Sequence, residues 1–419
     1  MNRPGALGRV QVCALGDSLE EISAGARAAE AAGIDGVFAI ELFRSTDTQA
    51  MWLAARTERI GIGTGISWAF TRSAFNIALT AMDIDEASGG RFRLGLGAGV
   101  KRLNEAWHGA EYGRPAPHLR ETVEAVRLIM ERAGSGEPIR YEGTYHDIDI
   151  RGWIRPTRPL RQRIPIYTAA VQEGMARMAG DVSDGLLGHI ICSTRWIDEV
   201  LVPSFETGLG RSGRSRADFT FTPGICVAID DDEEAAYEAA RRTLAFYATV
   251  RTYAPLFEIH GFQDEAAAVG AAFRAGDLAN VATHVTNDMV DTYCAVGPLD
   301  KVRAKVSEVA ERGDAVGLMP PTYFLEPERI AEYQRRIVAA FGAALHALGV
   351  GRGERVAVHL EKRIENVVAM FGASAAGSVF VPVNPLLKAR QVAHILGDCE
   401  VRVLVTTPER LALLEDRGS

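Results

Sequence analysis

Short apolar runs alternate with longer amphipathic ones from residue 9 to about residue 340, the pattern of strands and helices wound around a parallel sheet. Strands are expected at Arg9–Leu15, Val37–Ile40, Ile60–Ile66 and Phe92–Leu96. Between and after them, helices are expected at Leu19–Ala32, stopped by Gly33, and at Gln49–Thr57, Ala74–Ala87 and Leu119–Arg132. Ile164–Tyr167, Leu186–Ile190, Phe219–Ile229 and Val316–Met319 supply four more strands. Ile139–Ile150 alternates like a hairpin, with Tyr141 to Thr144 near its turn, and reads as an insertion outside the main sheet. Asp232–Thr286 reads as a helical region longer than one barrel helix requires. Eight strand segments with helices between them favour a closed (β/α)8 TIM barrel with insertions over an open doubly wound sheet.

A second pattern begins after a boundary near Val338–Ala343, within an expected helix at Arg329–Leu348. Gly349–Gly353 opens a fresh series: strand Arg355–Leu360, helix Ile364–Ala375, strand Val379–Pro382, helix Ala389–Leu396 and strand Val401–Val405. The barrel already has its eight strands. The chain therefore divides into a barrel domain at 1–340 and a small C-terminal α/β fragment at 341–419.

Composition adds exclusions. With 47% hydrophobic and 24% charged residues the chain reads as globular, and a net charge of -8 speaks against nucleic acid as a partner. Cys13, Cys192, Cys226, Cys294 and Cys399 are scattered and odd in number, which suits a reducing cytoplasm better than a disulfide framework. Met1–Leu15 lacks the apolar core of a signal peptide, and Val367–Val383 is too short and too interrupted to span a bilayer. The alanine-rich helices suggest a homodimer formed through barrel helices.

The most informative local feature is a pair of glycine-alternating strands, Ile60-Gly61-Ile62-Gly63-Thr64-Gly65-Ile66 and Leu94-Gly95-Leu96-Gly97-Ala98-Gly99. Each presents one apolar face and one bare face. The bare faces suggest a wall shaped for a flat ring, or else glycines that relieve crowding where the barrel bends; both readings stay open. Gly95–Gly99 is not a dinucleotide fingerprint, because the Gly-x-Gly-x-x-Gly spacing is missing and no convincing helix starts directly after it. The sequence holds no P-loop, no paired-cysteine or His-Glu-x-x-His motif, and no Gly-x-Ser-x-Gly elbow, so phosphoryl transfer, metal catalysis and α/β-hydrolase chemistry lack support.

Several residues stand at expected strand C-termini. Glu41 ends strand two and would either bond a cofactor or substrate or pair with an arginine on the rim. Lys101 follows strand four, where it would neutralise an anion or stay solvated. These two are the catalytic candidates. Trp68 follows strand three and His189 ends strand six. The turn Ala169-Ala170-Val171-Gln172-Glu173-Gly174 joins strand five to the next helix, where free backbone N–H groups suit a phosphate.

Thr57 to Ile66 and Ser88-Gly89-Gly90-Arg91-Phe92 to Gly99, with Asp181-Val182-Ser183-Asp184-Gly185 before strand six, together resemble the luciferase-like oxidoreductases. The stretch from Val100-Lys101 to Leu119-Arg120-Glu121 looks most like the branch that uses the deazaflavin coenzyme F420 rather than FMN. The resemblance implies a barrel with the cofactor at the strand C-termini and a cis peptide at Gly65-Ile66. It also implies cofactor contacts from Glu41, Gly65, Ile66, Trp68, Ala98, Gly99, Val171, Gln172, Gly174 and His189. Sugar-phosphate dehydrogenases of that family carry a His where Leu42 stands here and a Glu where Val100 stands (or Lys101, allowing a gap), so that reaction is not expected. The implied activity is hydride transfer between F420 and a small organic substrate, with no metal; an FMN-dependent monooxygenase fed by a separate reductase is the alternative. The missing acid–base pair also leaves room for a non-catalytic binding barrel.

The tail resembles something else. Leu348 to Val358 and Val381-Pro382-Val383-Asn384-Pro385-Leu386 look like the opening of an AMP-forming acyl-CoA ligase. The sequence stops before that family's Ser/Thr/Gly-rich nucleotide loop and lysine, so this segment is not expected to adenylate an acid by itself.

Overall fold

A computed structural model describes residues 9–341, 355–360, 369–370, 373, 378–407, 410–411 and 414. The chain separates into two compact units, Met1–Glu30 with Ile34–Val338, and Ala31–Gly33 with Ala339–Ser419.

In the first unit eight parallel strands form a ring. Strand one (Arg9–Cys13) lies between strand two (Gly36–Ala39) and strand eight (Ala315–Met319). Strand three (Gly61–Thr64) follows strand two, then strands four (Phe92–Gly97), five (Ile166–Ala170) and six (Gly185–Gly188). Strand seven closes the ring in two pieces: Thr220–Thr222 pairs with strand six, and Gly224–Ile229 pairs with strand eight. The break falls at Pro223, which has no N–H to give a ladder; its carbonyl still accepts from Gly317 N–H at 2.8 Å. The ring interior and the helix-facing side are both apolar, with Val12, Ile62, Phe92, Leu96 and Phe221 almost wholly buried, as parallel strands covered on both faces require.

Three departures from the sequence reading have local causes. Strand three ends at Thr64 rather than Ile66: Gly65 N–H still donates to Ala39 O at 2.7 Å, the Gly65–Ile66 peptide bond is cis, and Ser67–Trp68 then pairs beside strand four. A parallel strand at Cys294–Gly297, not expected at all, pairs with Gly224–Ile229. It is only four residues long and leads directly into Pro298. Third, a helix does start directly after the strand-four glycines, at Lys101–His108; its N-cap, Val100, has no capping side chain to announce it. The expected hairpin is present, Ile139–Glu142 against Asp147–Ile150. The long helical region resolves into Glu233–Ala248, Ala254–Glu258 and Gln263–Arg274.

The N-terminal ends of the strands are tied by charged side chains. Arg91 donates to Ser88 O, Thr57 Oγ1, Ile60 O, Ala54 O and Thr57 O at 2.7–3.2 Å, joining strands three and four to the preceding helix Thr46–Arg56. Asp184, just before strand six, accepts from Ile166 N–H at 2.9 Å, Arg127 at 3.0 Å and Arg163 at 2.6 Å.

In the second unit a three-stranded parallel sheet places Arg355–His359 between Val379–Pro382 and Val401–Thr406. Helix Ala389–Asp398 supplies Val392 to a core shared with Ala357 and Val383. Most of the helix expected at Ile364–Ala375, and the Gly349–Gly353 segment, lie outside the described residues. No helix among the described residues is long and apolar enough to cross a membrane.

Candidate functional site

The C-terminal ends of the strands, where barrel enzymes carry their chemistry, hold the residues of interest. At the end of strand two the Glu41 carboxylate accepts from Trp68 N–H at 2.9 Å and from both Nη1 and Nη2 of Arg72, at 3.0 and 2.6 Å. Arg72 also reaches Asp47 Oδ2 through Nε at 2.9 Å. Glu41 thus pairs with an arginine, one of the two readings left open for it. Burial lifts Asp47 above its ordinary carboxylate value, with the Glu41 charge adding to the rise against the pull of Arg72.

The bare glycine faces are occupied by the protein itself. A Cβ on Gly63 would lie 2.7 Å from the Phe38 ring, and one on Gly65 would lie 3.0 Å from Phe38 Cβ. On strand four, a Cβ on Gly95 would overlap the Thr64 carbonyl oxygen, and one on Gly97 would overlap Ile66 Cδ1. The glycines thus let Phe38, Ile66 and the strand-three backbone approach closely. The alternation marks crowding inside the ring rather than a vacant wall.

Beyond strand four, Ala98 and Gly99 are held by Asn104, whose Nδ2 donates to Ala98 O at 2.9 Å and Val100 O at 3.0 Å. Gly99 turns with φ +64, and a Cβ there would meet Asn104 and the Trp68 ring at 3.1 Å. Asn104 is fully buried, and its Oδ1 has no partner among the described residues. Trp68 is buried and stands edge-on to His108 at 5.5 Å. Lys101 does not join this group: two-thirds exposed, it pairs with Glu105 one turn on at 3.7 Å.

At the end of strand five, Val171 O accepts from Trp196 Nε1 at 2.8 Å. Gln172 is the N-cap of helix Glu173–Val182, yet its side chain donates to Thr252 O at 2.7 Å instead of capping the helix. The first turn is left without a side-chain cap, and Gly174 is exposed, with open space where a Cβ would stand. His189, just after strand six, receives Ile191 N–H at Nδ1 (3.4 Å) and faces the Tyr253 hydroxyl with Nε2 (3.3 Å). Tyr247 stands edge-on to it at 4.7 Å. Burial depresses the His189 pKa from 6.5 to about 4 and pushes the Tyr253 phenol up.

Arg72, Asn104, Tyr247 and Tyr253 were not among the sequence candidates. Arg72 carried a usable signal, a lone cation four residues past Trp68 and close enough in sequence to answer Glu41. The tyrosines carried none, since they reach the site from the excursion between strands seven and eight.

Residues 331–418 match the family model of AMP-binding enzymes. A 5,10-methylenetetrahydromethanopterin reductase of Archaeoglobus fulgidus is 30% identical over 292 residues, covering 68% of this chain and 84% of the relative. Among solved structures, the coenzyme F420-dependent tetrahydromethanopterin reductase from Methanopyrus kandleri superposes with a TM-score of 0.68 at 22% identity, covering 81% of this chain and 99% of that one. The oxygenating constituent of 3,6-diketocamphane monooxygenase from Pseudomonas putida, in complex with FMN, does so with a TM-score of 0.54 at 17% identity, over 80% and 97%. Both share the barrel fold. Residues 2–315 match the model of the luciferase-like monooxygenases, and the chain belongs to that family of oxidoreductases.

Proposed function

We propose that the barrel, residues 1–340, binds coenzyme F420 at the C-terminal ends of its strands and moves a hydride between it and a small organic substrate. The observation that carries this is the uncapped turn Val171–Gly174. The side chain that would close the helix N-terminus is drawn off to Thr252, leaving first-turn N–H groups and an open glycine for a phosphate group. The unpartnered Asn104 Oδ1, set beside Ala98, Gly99 and Trp68, is a buried acceptor that a ring N–H can satisfy. When bound, the deazaflavin supplies the hydride chemistry; the protein binds and orients it. Ala98, Gly99, Trp68, Gly65 and Ile66 would flank the ring, Val171, Gln172 and Gly174 the phosphate, and His189 the far side.

Glu41 acts on this reading through Trp68. With its charge met by Arg72 and its oxygen held by Trp68 N–H, it fixes the backbone that follows the Gly65–Ile66 bend. Lys101, exposed and engaged with Glu105, is placed on the outer rim.

Deazaflavin is favoured over FMN by the likeness of the Val100–Glu121 stretch to the F420 branch and by a putative coenzyme F420-dependent oxidoreductase of Mycobacterium tuberculosis that is 30% identical over 305 residues. An FMN-dependent monooxygenase served by a separate reductase is the second reading, favoured by the family model. Residues 341–419 are read as a separate unit similar to the AMP-binding enzymes. The scattered cysteines favour a cytoplasmic setting, and the alanine-rich helices a homodimer. Titrating the purified protein with F420 and with FMN, and following fluorescence quenching, tests the proposal. Quenching of F420 is expected; binding of FMN alone, or of neither, refutes it.

A further inference from the structure

The two nitrogens of His189 have different surroundings, and together they assign its proton. Ile191 N–H donates to Nδ1 at 3.4 Å, so Nδ1 carries the lone pair. The ring is held neutral by burial, so its single N–H is on Nε2, which faces the Tyr253 hydroxyl oxygen at 3.3 Å. The imidazole therefore donates to the tyrosine. Burial also keeps the phenol protonated, and its own hydrogen must point elsewhere. Among the described residues the Tyr253 hydroxyl has no second partner. An O–H donor whose oxygen is already engaged by an N–H is set to bind an acceptor.

Its surroundings narrow the acceptor. Tyr247 stands edge-on to both His189 and Tyr253, at 4.7 and 5.3 Å, and Phe246 stacks on Tyr323 at 3.6 Å. This aromatic wall suits an uncharged body carrying one oxygen. The preceding residue, Thr252, receives Gln172 Nε2 at 2.7 Å, which ties this segment to the turn proposed to hold the cofactor phosphate.

We infer that Tyr253, oriented by His189, is the hydroxyl donor that binds the oxygen of a small uncharged carbonyl compound, or of the corresponding alcohol, next to the cofactor. This rests on the reading of the barrel as a hydride-transfer enzyme. In the reducing direction the carbonyl carbon gains a hydride from the reduced deazaflavin, which is thereby oxidised. The C=O pair moves onto oxygen, and a proton from water completes the alcohol. Tyr253 stays a phenol throughout, and its hydrogen bond strengthens as charge builds on the oxygen it holds.

The test uses the full chain with imidazole-15N-labelled histidine, first alone and then loaded with F420, titrated with acetone, cyclohexanone and acetophenone. The His189 signals should report the Nε2–H tautomer and shift on ketone addition. In Tyr253→Phe, ketone affinity should fall about tenfold, the size of one lost hydrogen bond to a buried donor, while F420 quenching stays within about twofold. An Nδ1–H tautomer, no ketone that moves the His189 signals, or a Tyr253→Phe protein that binds ketones like the parent overturns the inference. The tautomer and shift are read on the unmutated protein, so a variant that fails to fold does not remove the test. If F420 does not bind but ketones still shift His189 in a Tyr253-dependent way, the cofactor reading fails and the assignment of Tyr253 stands.

Discussion

Arg72 and Glu41 meet through two hydrogen bonds, Nη2 to Oε1 at 2.6 Å and Nη1 to Oε2 at 3.0 Å, in side chains that are 16% and 9% exposed. Arg72 serves Asp47 as well, so one cation neutralises two partly buried carboxylates at the mouth of the ring. Removing the cation leaves both charges uncompensated in a poorly solvated place. Arg72→Met should lower unfolding stability by about 3 kcal/mol in urea titrations, the range for breaking a buried pair from one side. The triple variant with Glu41→Gln and Asp47→Asn should regain most of that loss. A single variant as stable as the parent would show that water reaches this triad freely.

The glycines of strand four separate steric need from ligand space. Gly95 has the Thr64 carbonyl where its Cβ would stand, whereas Gly174 has open space. Gly95→Ala should cost about 3 kcal/mol or prevent folding, since backbone must move to admit the methyl. Gly174→Ala should change stability by less than about 1 kcal/mol, because alanine suits a helix. On the proposed function it should nevertheless weaken F420 binding, as its methyl crowds the uncapped turn. Thermal unfolding and F420 titration of the two variants read both effects.

That contrast also shows where sequence reading stopped. The period-two and longer amphipathic patterns located the strands of the ring to within a few residues, because a parallel strand buried on both faces leaves a continuous apolar run. Strand seven read as one piece because pairing with two different neighbours on either side of Pro223 is a long-range fact. The strand Cys294–Gly297 escaped because four residues are too few to show a period. The glycine alternation was visible, but not what fills it: Phe38 lies more than twenty residues before Gly63 and Gly65. Tyr247 and Tyr253 reach His189 from even farther along the chain, and no spacing in the sequence links them.

His189 gives a pH signature. Its folded-state pKa of about 4 lies below its ordinary 6.5, with burial as the cause. The unfolded chain therefore binds a proton between those values that the folded chain refuses. Stability must rise with pH across that window and is lost as pH falls through it. NMR titration should show the His189 ring neutral down to about pH 5. In His189→Phe, the slope of stability against pH between about 4 and 6.5 should flatten relative to the parent; an unchanged slope would contradict a buried neutral ring.

Asp184 should show the opposite edge of the acid range. Burial opposes its ionisation, but Arg127, the Ile166 N–H and Arg163 outweigh that and hold it below its ordinary 3.8. Its contribution is present above the unfolded value and is lost as pH falls through the lower folded one. Asp184→Asn keeps the shape and loses the charge, so it should cost about 2 kcal/mol near neutrality. The gap to the parent should close below about pH 3.8 as the parent's carboxyl protonates. Cofactor affinity should not change, since Asp184 lies at the opposite end of the strands from the proposed site.

Arg91 explains a motif that the family resemblance supplied without a reason. Gly89 and Gly90 take φ +64 and +85, turning the chain sharply after helix Ala74–Ala87. That turn points the Arg91 guanidinium across to strand three and the end of helix Thr46–Arg56. There it donates to four backbone carbonyls and one hydroxyl, and each carbonyl belongs to a helix end or a strand start that lacks a regular partner. The planar fork is needed because the acceptors are spread over its three nitrogens; a lysine ammonium cannot span them. Arg91→Lys should therefore cost about 3 kcal/mol, two or three hydrogen bonds to a charged group, even though the charge is kept. Chemical denaturation should show this loss, with hydrogen exchange accelerating first at Ala54–Ile62. A lysine variant as stable as the parent would mean that charge alone, and not the fork, joins strands three and four.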